Sequence, residues 1–356
     1  MKIACVNCGR PYPDLGAPYE CPNCGGLYDY VEPLTFNVVD SIRPGTWRYA
    51  SSFGLSADPV SLGEGNTPLI SAKVFGREVY FKCEYANPSG SFKDRGMATL
   101  VSFLVSRGVT EAIEDSSGNA GASFAAYAAR AGIKARVYVP ESASGPKRQQ
   151  IEMYGAQLVT VRGPRVNAAQ AVRKAAQAGM VYASHAYLPF CLPGYATCAY
   201  EIVEQLGGAP GAVVVPAGQG GLLLGIGRGF QAMLNAGMIE KMPMIVGAQA
   251  SACQPLVTLW KNGTMDGAGD EQTLAEGVRT RSLRAEAVVK ITRESGGRFT
   301  SVDEAFILSG RDALANRGFY VEPTSALVWR ALEESISSLP DPVVAILTGS
   351  GYKVRI

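Results

Sequence analysis

Short apolar runs alternate with amphipathic stretches along most of the chain. Runs of about four to eight residues rich in Val, Ile and aromatic side chains predict buried strands. These runs are residues 78–85, 111–115, 135–140, 156–161, 211–217, 244–250 and 342–349. Ala-rich stretches with helical spacing predict helices at 93–107, 119–131, 147–154, 166–178, 194–207, 221–236 and 310–317. The alternation predicts an α/β fold with mostly parallel sheets.

Composition narrows the class of protein. The chain has 356 residues, 47% of them hydrophobic, which is enough for one large domain or two of medium size. The formal net charge is +2, and no basic run stands out, so nucleic acid and anionic membranes are not expected partners. The apolar runs have strand length, and the first residues contain no signal-like stretch. We therefore expect a soluble, cytoplasmic protein.

Four cysteines near the N-terminus have the spacing of a metal-binding ribbon. Cys5 and Cys8 form one C-x-x-C pair, and Cys21 and Cys24 form a second pair after twelve intervening residues. Two such turns bring four thiolates to one tetrahedral ion. In a reducing compartment the pattern predicts structural zinc in a ribbon over residues 1–28. A ribbon without metal, or with its thiols oxidised to disulfides, is the alternative.

The loop DSSGN at 115–119 follows a predicted strand and precedes a helix expected to start near Ala120. Ligands of parallel sheets bind at the carboxyl ends of strands, and a helix N-terminus presents N–H groups and a positive dipole end. These properties predict a site for a substrate carboxylate. Its residues are Ser116, Ser117, Gly118, Asn119 and Ala120. An ordinary helix cap is the simpler interpretation, because Ser and Asn are favoured there.

A second loop joins the predicted strand 211–217 to a helix. It reads Gly218, Gln219, Gly220, Gly221. Glycines let backbone amides approach a phosphate, and the helix dipole favours its negative charge. A dinucleotide site fits less well, because the G-x-G-x-x-G spacing is missing and no acidic residue ends the next strand. The loop therefore predicts a site for a single phosphate.

Two further residues complete the candidate site. Thr348 lies in LTGSG after the last predicted strand and offers a neutral hydroxyl, although most such turns are only turns. Lys93 stands alone in NPSGSFKDRG, where an exposed first-turn lysine is the alternative. A lysine with a phosphate cradle and a carboxylate cradle matches pyridoxal phosphate. Lys93 would form the Schiff base, and Gly218–Gly221 would hold the phosphate. Asn119 would bond the 3′ oxygen, and Thr348 would meet the ring nitrogen.

The order of these motifs resembles that of threonine synthase and its relatives among the fold-type II pyridoxal-phosphate enzymes, the tryptophan synthase β superfamily. The shared motifs are GEGNTPL (63–69), NPSGSFKDRG (87–96), SSGNAGAS (116–123), PAGQGG (216–221), FYVEPTSA (319–326) and LTGSG (347–351). The resemblance covers almost the whole chain and implies a two-domain α/β enzyme behind the zinc ribbon. It implies a large domain from 33–92 and 205–356, a smaller inserted domain at 93–204, and a homodimer.

The same resemblance implies a reaction. The family contains pyridoxal-phosphate-dependent lyases and synthases that eliminate or replace a group at Cβ or Cγ of an amino acid. By resemblance, the reaction here is the conversion of O-phosphohomoserine to threonine. A neutral hydroxyl such as Thr348 does not force protonation of the ring nitrogen, which agrees with elimination rather than transamination.

One segment departs from the family pattern. The family stretch runs N-P-x-R-L-E-G-Q-K-T, and this chain has LPFCLPGYAT at 188–197. The exchanged positions are Leu188, Cys191, Pro193, Tyr195 and Ala196. Loss of the phosphate-binding side chains leaves open a serine/threonine dehydratase (ammonia-lyase), a β-replacement synthase, or a pyridoxal-phosphate-binding protein with a decayed site. His185, the only histidine, is interpreted either as a packed side chain or as a substrate contact.

Overall fold

The computed structural model describes residues 1–37, 39–40, 42–55, 58–143, 145–269 and 272–354. Its strands, in chain order, are β1 (Ile3–Cys5), β2 (Tyr28–Tyr30), β3 (Leu69–Val74), β4 (Arg77–Lys82), β5 (Glu111–Glu114), β6 (Lys134–Pro140), β7 (Gln157–Val161), β8 (Val181–Tyr182), β9 (Ala212–Pro216), β10 (Met244–Ala250), β11 (Arg298–Val302) and β12 (Val343–Ile346). Its α-helices are α1 (Lys93–Ser106), α2 (Asn119–Ala131), α3 (Pro146–Met153), α4 (Arg165–Gln177), α5 (Leu192–Leu206), α6 (Gly221–Asn235), α7 (Pro255–Asn262), α8 (Ala285–Glu294), α9 (Ala305–Ala315) and α10 (Pro323–Ser335).

The chain folds as two compact units. Unit 1 comprises Met1–Glu64, Lys93–Gly194 and the C-terminal residues from Lys353 on. Unit 2 comprises Gly65–Phe92 and Tyr195–Tyr352. The domain boundaries expected from the sequence, with a ribbon, an inserted domain and a discontinuous large domain, stay a prediction.

The main sheet of unit 1 is parallel. In the part of this unit that the structure describes, the strand order is β7-β6-β5-β8, and each strand is parallel to its neighbour. Helices α2 and α4 contact β6, and α1 contacts α2. Because the strands point the same way, the segments that follow β5 and β8 leave the sheet at one edge. The predicted carboxylate loop at 115–119 is one of these segments.

An antiparallel ribbon, formed by β1 and β2, also belongs to unit 1. The ring of Tyr12 packs edge-on against Tyr28 and Phe190, with centroid distances of 4.6 and 5.2 Å. Arg107, just after α1, donates a hydrogen bond of 3.0 Å to the carbonyl oxygen of Pro13. These contacts attach the ribbon to the rest of unit 1.

The sheet of unit 2 is larger and also mostly parallel. Over the described residues its strand order is β11-β10-β9-β12-β4-β3, and only the edge strand β3 is antiparallel to its neighbour. Helices α6 and α10 contact both β9 and β10. Strands β9 and β12 are adjacent and parallel, so the loops that follow them leave the sheet at the same edge. Those loops carry the predicted phosphate cradle and Thr348.

The structure confirms the predicted α/β class with mostly parallel sheets. Each predicted helix is present with its ends shifted by at most five residues. The sequence pattern did not predict the strands β1, β2 and β11 or the helices α7 and α8. It also missed β3, a partly exposed edge strand, and α10, which begins at Pro323 in the first-turn position that tolerates proline. Among the described residues, none of the helices combines the length and apolarity needed to cross a bilayer.

Candidate functional site

Lys93 is the first residue of α1, and the segment just before it is fixed within unit 2. The backbone N–H of Phe92 donates to the carbonyl oxygen of Thr348 over 3.0 Å. The N–H of Ser350 donates to the carbonyl oxygen of Gly90 over 3.0 Å. The Cα atoms of two consecutive residues are about 3.8 Å apart. Phe92, the residue before Lys93 in the chain, is therefore held at the end of β12 within unit 2.

A buried polar network holds the beginning of the same loop in unit 2. The amide nitrogen of Asn87 donates to the carboxylate of Glu84 over 3.0 Å, and its oxygen accepts the N–H of Gly65 over 2.9 Å. The hydroxyl of Thr67 donates to the other oxygen of Glu84 over 2.7 Å. Breaking such a buried network leaves a desolvated charge without its hydrogen bonds, which is costly. The motifs GEGNTPL and NPSGSFKDRG are thus tied to each other at Asn87.

A second buried ion pair lies beside this network. The ammonium of Lys82, at the end of β4, is 2.7 Å from the carboxylate of Glu201 on α5, and both side chains are buried. Lys82 also donates to the backbone carbonyl of Thr67 over 2.7 Å, and Glu201 accepts the N–H of Asn66 over 2.7 Å. The pair fixes residues 66–67, next to the Asn87 contact.

The predicted phosphate loop lies between β9 and α6. Gly220, the residue before the helix, has a left-handed backbone with φ of 83°. A Cβ at this position would lie 2.6 Å from the side chain of Val288, so only glycine fits. The carbonyl of Gln219 accepts the hydroxyl of Ser282 over 2.7 Å, which fixes the loop. The N-cap of α6 contributes no side-chain hydrogen bond to the first N–H groups, and this arrangement fits a phosphate.

Thr348 is buried two residues after the end of β12. Its hydroxyl lies 3.0 Å from the hydroxyl of Ser325 on α10. Ser325 in turn accepts the backbone N–H of Gly349 over 3.0 Å. A neutral hydroxyl, unlike a carboxylate, does not keep a pyridine nitrogen protonated. Ser325 was not singled out from the sequence, although it lies within the motif FYVEPTSA.

The predicted carboxylate loop is closed tightly onto α2 in unit 1. The helix begins at Asn119, and its N-cap is Gly118, so neither Ser116 nor Ser117 caps it. The hydroxyl of Ser116 instead accepts the N–H of Gly118 over 3.2 Å. A Cβ at Gly121 would collide with the carbonyl oxygen of Ser116. Gly118, the N-cap residue, makes no side-chain hydrogen bond to α2, and the substrate-carboxylate site expected at this helix start stays a prediction.

Behind Lys93, the start of α1 is anchored by buried charges of unit 1. Asp94 and Arg95 are both fully buried. Asp94 accepts the hydroxyl of Ser123 on α2 over 2.5 Å. Tyr127, one turn further along α2, donates to Glu64 over 2.6 Å. Burial, together with these two carboxylates, raises the pKa of Tyr127 above its ordinary range, so the phenol stays protonated.

Glu114 and His185 form a pair at the edge of the unit 1 sheet. Nδ1 of His185 lies 2.9 Å from a carboxylate oxygen of Glu114, the last residue of β5. Burial raises the pKa of Glu114 to about 7, against the opposing influence of the Ser116 N–H, Arg165 and Lys93. His185 was a candidate from the sequence, whereas Glu114 was missed, because its only signal was its position immediately before DSSGN.

The four cysteines of the ribbon converge. Their sulfur atoms all lie within 4.8 Å of one another, with 3.5 Å between Cys5 and Cys24 and 3.7 Å between Cys8 and Cys21. Zinc–thiolate bonds of about 2.3 Å place the sulfurs of a tetrahedral site about 3.8 Å apart. The donor set and spacing therefore fit one structural metal ion.

The sequence-predicted residues thus fall into three groups. The cysteines form one cluster in unit 1. Lys93, Asn119 and the loop 116–120 also belong to unit 1, whereas Gly218–Gly221 and Thr348 belong to unit 2. Within unit 2, the adjacency of β9 and β12 places the phosphate loop and Thr348 at one edge of the sheet.

Known proteins resemble this chain over most of its length. Residues 60–349 match the family model described as pyridoxal-phosphate dependent enzyme. The threonine synthase of Methanocaldococcus jannaschii is 35% identical, with 99% of this chain and 93% of its own length aligned. The threonine synthase of Methanosarcina acetivorans is 31% identical, with 98% and 91% aligned. A solved structure of a T.th. threonine deaminase has a TM-score of 0.69 at 26% identity, covering 82% of this chain and 94% of its own.

Two glycine variants distinguish a loss of stability caused by backbone strain from a loss of cofactor affinity caused by a displaced phosphate loop. Gly220→Ala should lower affinity for pyridoxal phosphate at least tenfold, because the new Cβ strains a left-handed residue and displaces the loop. Gly237→Ala is the control: this glycine follows α6, also has a positive φ of 69°, and a Cβ there would meet nothing within 4 Å. It should lose about 1–2 kcal/mol of stability from strain alone and keep its affinity.

Titration of the cofactor into each protein, followed by visible absorbance, measures affinity, and urea unfolding measures stability. Equal losses of affinity in both variants would show that Gly220 has no special role in the cradle.

Proposed function

The chain belongs to the family of pyridoxal-phosphate dependent enzymes, and on this premise we propose that it is a threonine synthase-like lyase acting on a small amino acid. The observation that carries the proposal is the backbone pairing of residues 90–92 with residues 348–350 in unit 2. It ties the segment that ends at Lys93 to the backbone around the buried Thr348, whose hydroxyl is the proposed partner of the ring nitrogen.

We assign the site residues as follows. Lys93 carries the cofactor, and the N–H groups of Gly218, Gln219, Gly220 and Gly221 hold its phosphate. Asn119 donates to the 3′ oxygen of the ring, and Thr348 meets the ring nitrogen. The backbone around Ser116, Ser117, Gly118, Asn119 and Ala120 binds the carboxylate of the amino acid.

When bound, pyridoxal phosphate supplies an aldehyde that condenses with amines and a ring that withdraws electrons from Cα. The side chains of the protein determine which reaction follows this withdrawal of electrons. Thr348, aligned by Ser325, offers the ring nitrogen a hydroxyl that does not force it to be protonated. That arrangement favours loss or replacement of a group at Cβ or Cγ over transamination. The amine of Lys93 would take and return the proton at Cα of the amino acid.

Two candidate reactions differ in the group that leaves the amino acid. The relatives named threonine synthase favour synthesis of threonine from O-phosphohomoserine. A second candidate, a serine/threonine dehydratase, is favoured by the stretch 188–197, in which Leu188, Cys191 and Ala196 are buried and uncharged. A phosphate ester carries nearly two negative charges and needs cationic partners. Arg165, at the start of α4, is a cation outside this stretch, and its guanidinium lies 3.9 Å from the carboxylate of Asp115.

Further assignments complete the proposal. The four-cysteine ribbon binds one structural zinc ion, which stabilises the N-terminal region without taking part in catalysis. The active form is a homodimer, as in the family that the sequence resembles, and the location is cytoplasmic.

The first prediction concerns Lys93. Replacement of Lys93 by alanine should abolish turnover and the visible absorbance of the lysine-bound cofactor, because no other group takes over the condensation. The control is Lys134→Ala, at the exposed start of β6, which should keep both. Absorbance spectra and circular dichroism of both variants provide the measurement. Retained turnover in the Lys93 variant would contradict the assignment of Lys93 as the residue that carries the cofactor.

The second prediction concerns the substrate. O-phosphohomoserine should be turned over more slowly than L-threonine or L-serine, because missing charged contacts cost about 1.5–3 kcal/mol each. Steady-state kinetics with these amino acids and O-phosphoserine, with detection of threonine and of keto acid, separates the candidates. Efficient formation of threonine from O-phosphohomoserine would instead establish that other cations hold the phosphate.

The third prediction concerns the ribbon. Freshly reduced protein should contain one zinc ion per chain, and Cys8→Ser should lose the ion and some stability while cofactor absorbance persists. Cys83→Ser, which removes a thiol outside the cluster, should retain the ion. Metal analysis and thermal unfolding are the measurements. Absence of zinc from the reduced wild-type protein would contradict the assignment.

A further inference from the structure

The side chain of Tyr195 contacts the segment that leads to Lys93. Tyr195 lies in the first turn of α5 and is only 2% exposed. Its ring centroid is 5.4 Å from that of Phe92, and the two ring planes are inclined at 54°. Aromatic rings whose centroids are about 4.5–7 Å apart attract each other in such tilted arrangements. Both residues belong to unit 2, and Phe92 is the residue before Lys93 in the chain.

The same ring borders the phosphate loop. A Cβ built on Gly221, the first residue of α6, would lie 3.8 Å from Cε2 of Tyr195, which is an ordinary van der Waals distance. Among the described residues outside its own helix and its chain neighbours, Tyr195 is the only one that such a Cβ would meet within 4 Å. One buried aromatic side chain of unit 2 therefore adjoins both the residue before Lys93 and the end of the phosphate loop.

Each of these two segments has its own anchor. The backbone N–H of Phe92 donates to the carbonyl oxygen of Thr348 over 3.0 Å. The carbonyl oxygen of Gln219 accepts the hydroxyl of Ser282 over 2.7 Å. Neither bond joins one segment to the other. The ring of Tyr195 adds a side-chain connection between them.

Helix α5 holds Tyr195 firmly within unit 2. Glu201, further along this helix, forms the buried ion pair of 2.7 Å with Lys82 on β4. A Cβ at Gly229 on α6 would lie 2.6 Å from the carbonyl oxygen of Ala196, so α5 and α6 approach each other closely one residue after Tyr195. Backbone packing and a buried ion pair therefore fix the position from which the ring projects.

The ring at position 195 distinguishes this chain from the family pattern. The family stretch N-P-x-R-L-E-G-Q-K-T has glutamine where this chain has Tyr195. A glutamine side chain has no ring, so it cannot form the aromatic contact with Phe92. Tyrosine is also stiffer, because its ring moves as one rigid group with two side-chain torsions. The exchange therefore places a rigid aromatic group next to both segments.

We propose that Tyr195 is a positioning residue that fixes the spacing between the segment before Lys93 and the phosphate loop, and so strengthens the binding of ligands that must reach both. The inference deepens the proposed function and rests on its assignment of Lys93 and Gly218–Gly221 to pyridoxal phosphate. That ligand combines an aldehyde, which condenses with a lysine, and a phosphate ester.

Fixed spacing benefits only a ligand with two points of attachment. When both points are held at the correct separation, the second attachment follows the first at a high effective concentration. Preorganisation of this kind also lowers the entropy cost of binding. A ligand that uses one point alone gains nothing from the spacing. Loss of the Tyr195 ring should therefore weaken two-point ligands selectively.

Three probes test this selectivity. Pyridoxal phosphate carries both groups, pyridoxal has the aldehyde without the phosphate, and pyridoxine phosphate has the phosphate without the aldehyde. Visible absorbance measures binding of the first two to the cofactor-free protein, and competition with pyridoxal phosphate measures binding of the third. In Tyr195→Leu, the affinity for pyridoxal phosphate should fall about tenfold or more, whereas the other two affinities should stay within about threefold of the wild type.

Three further variants show whether the ring contact is responsible. Tyr195→Phe retains the ring and should retain all three affinities. Tyr200→Leu alters another buried tyrosine of α5, so it should lose a similar amount of stability in urea unfolding and retain the affinities. Phe92→Leu removes the other ring of the contact and should show the same selective loss for pyridoxal phosphate. This variant keeps the inference testable if Tyr195→Leu fails to fold.

The pattern of losses decides the outcome. If the affinity for pyridoxal or for pyridoxine phosphate falls as much as that for pyridoxal phosphate, Tyr195 acts on one attachment alone and the inference is overturned. An unchanged affinity for pyridoxal phosphate in Tyr195→Leu, or an equal loss in Tyr195→Phe or Tyr200→Leu, would overturn it as well and leave the proposed function intact. A wild-type protein that binds no pyridoxal phosphate overturns the proposed function itself.

Discussion

The hydrogen bond from the backbone N–H of Phe92 to the carbonyl oxygen of Thr348 is the constraint on which the rest of the site depends. It fixes the residue before Lys93 at the end of β12, where a neutral hydroxyl is also held. The bond is backbone to backbone, so it survives changes in nearby side chains. The buried bonds of Asn87 to Glu84 hold the same loop at its other end. A lysine on a loop without these anchors would sample many positions, and catalysis loses efficiency steeply with such misplacement.

Buried carboxylates lie in both units. In unit 2, the hydroxyl of Thr348 is 3.0 Å from that of Ser325, and the carboxylate of Glu322 is buried in the same unit. In unit 1, the buried Asp94 at the start of α1 accepts the hydroxyl of Ser123. A neutral hydroxyl does not force a pyridine nitrogen to be protonated, so the proposed type of reaction depends on Thr348 and Ser325.

The sequence predicted the parts of the site that local patterns encode. The run GQGG was predicted to follow a strand and open a helix, and the structure has β9 before it and α6 after it, with a positive φ at Gly220. Lys93 and Thr348 were predicted for a similar reason, since each lies in a Gly-rich turn after a predicted strand, and their roles stay predictions. The four cysteines were found because their spacing alone specifies the geometry.

The rest depended on distant contacts. Glu114 reads as the end of a short strand, and only the neighbouring position of β8 reveals that its partner is His185. Asp94 and Arg95 stand at the start of a predicted helix, and only the packing of α1 on α2 reveals that both are buried. Ser325 lies on α10, a helix whose first residue is a proline. In each case the missing information was which elements are neighbours, and periodicity does not carry it.

The assignment of Lys93 as the residue that carries pyridoxal phosphate can be tested directly. Borohydride reduction of the cofactor-loaded protein fixes the cofactor to whichever lysine holds it, and peptide mapping by mass spectrometry then locates the added mass. We expect the modification on the peptide that contains Lys93, at close to one equivalent per chain. Modification of a different lysine, such as the buried Lys82 or the exposed Lys134, with none at Lys93, would contradict the assignment.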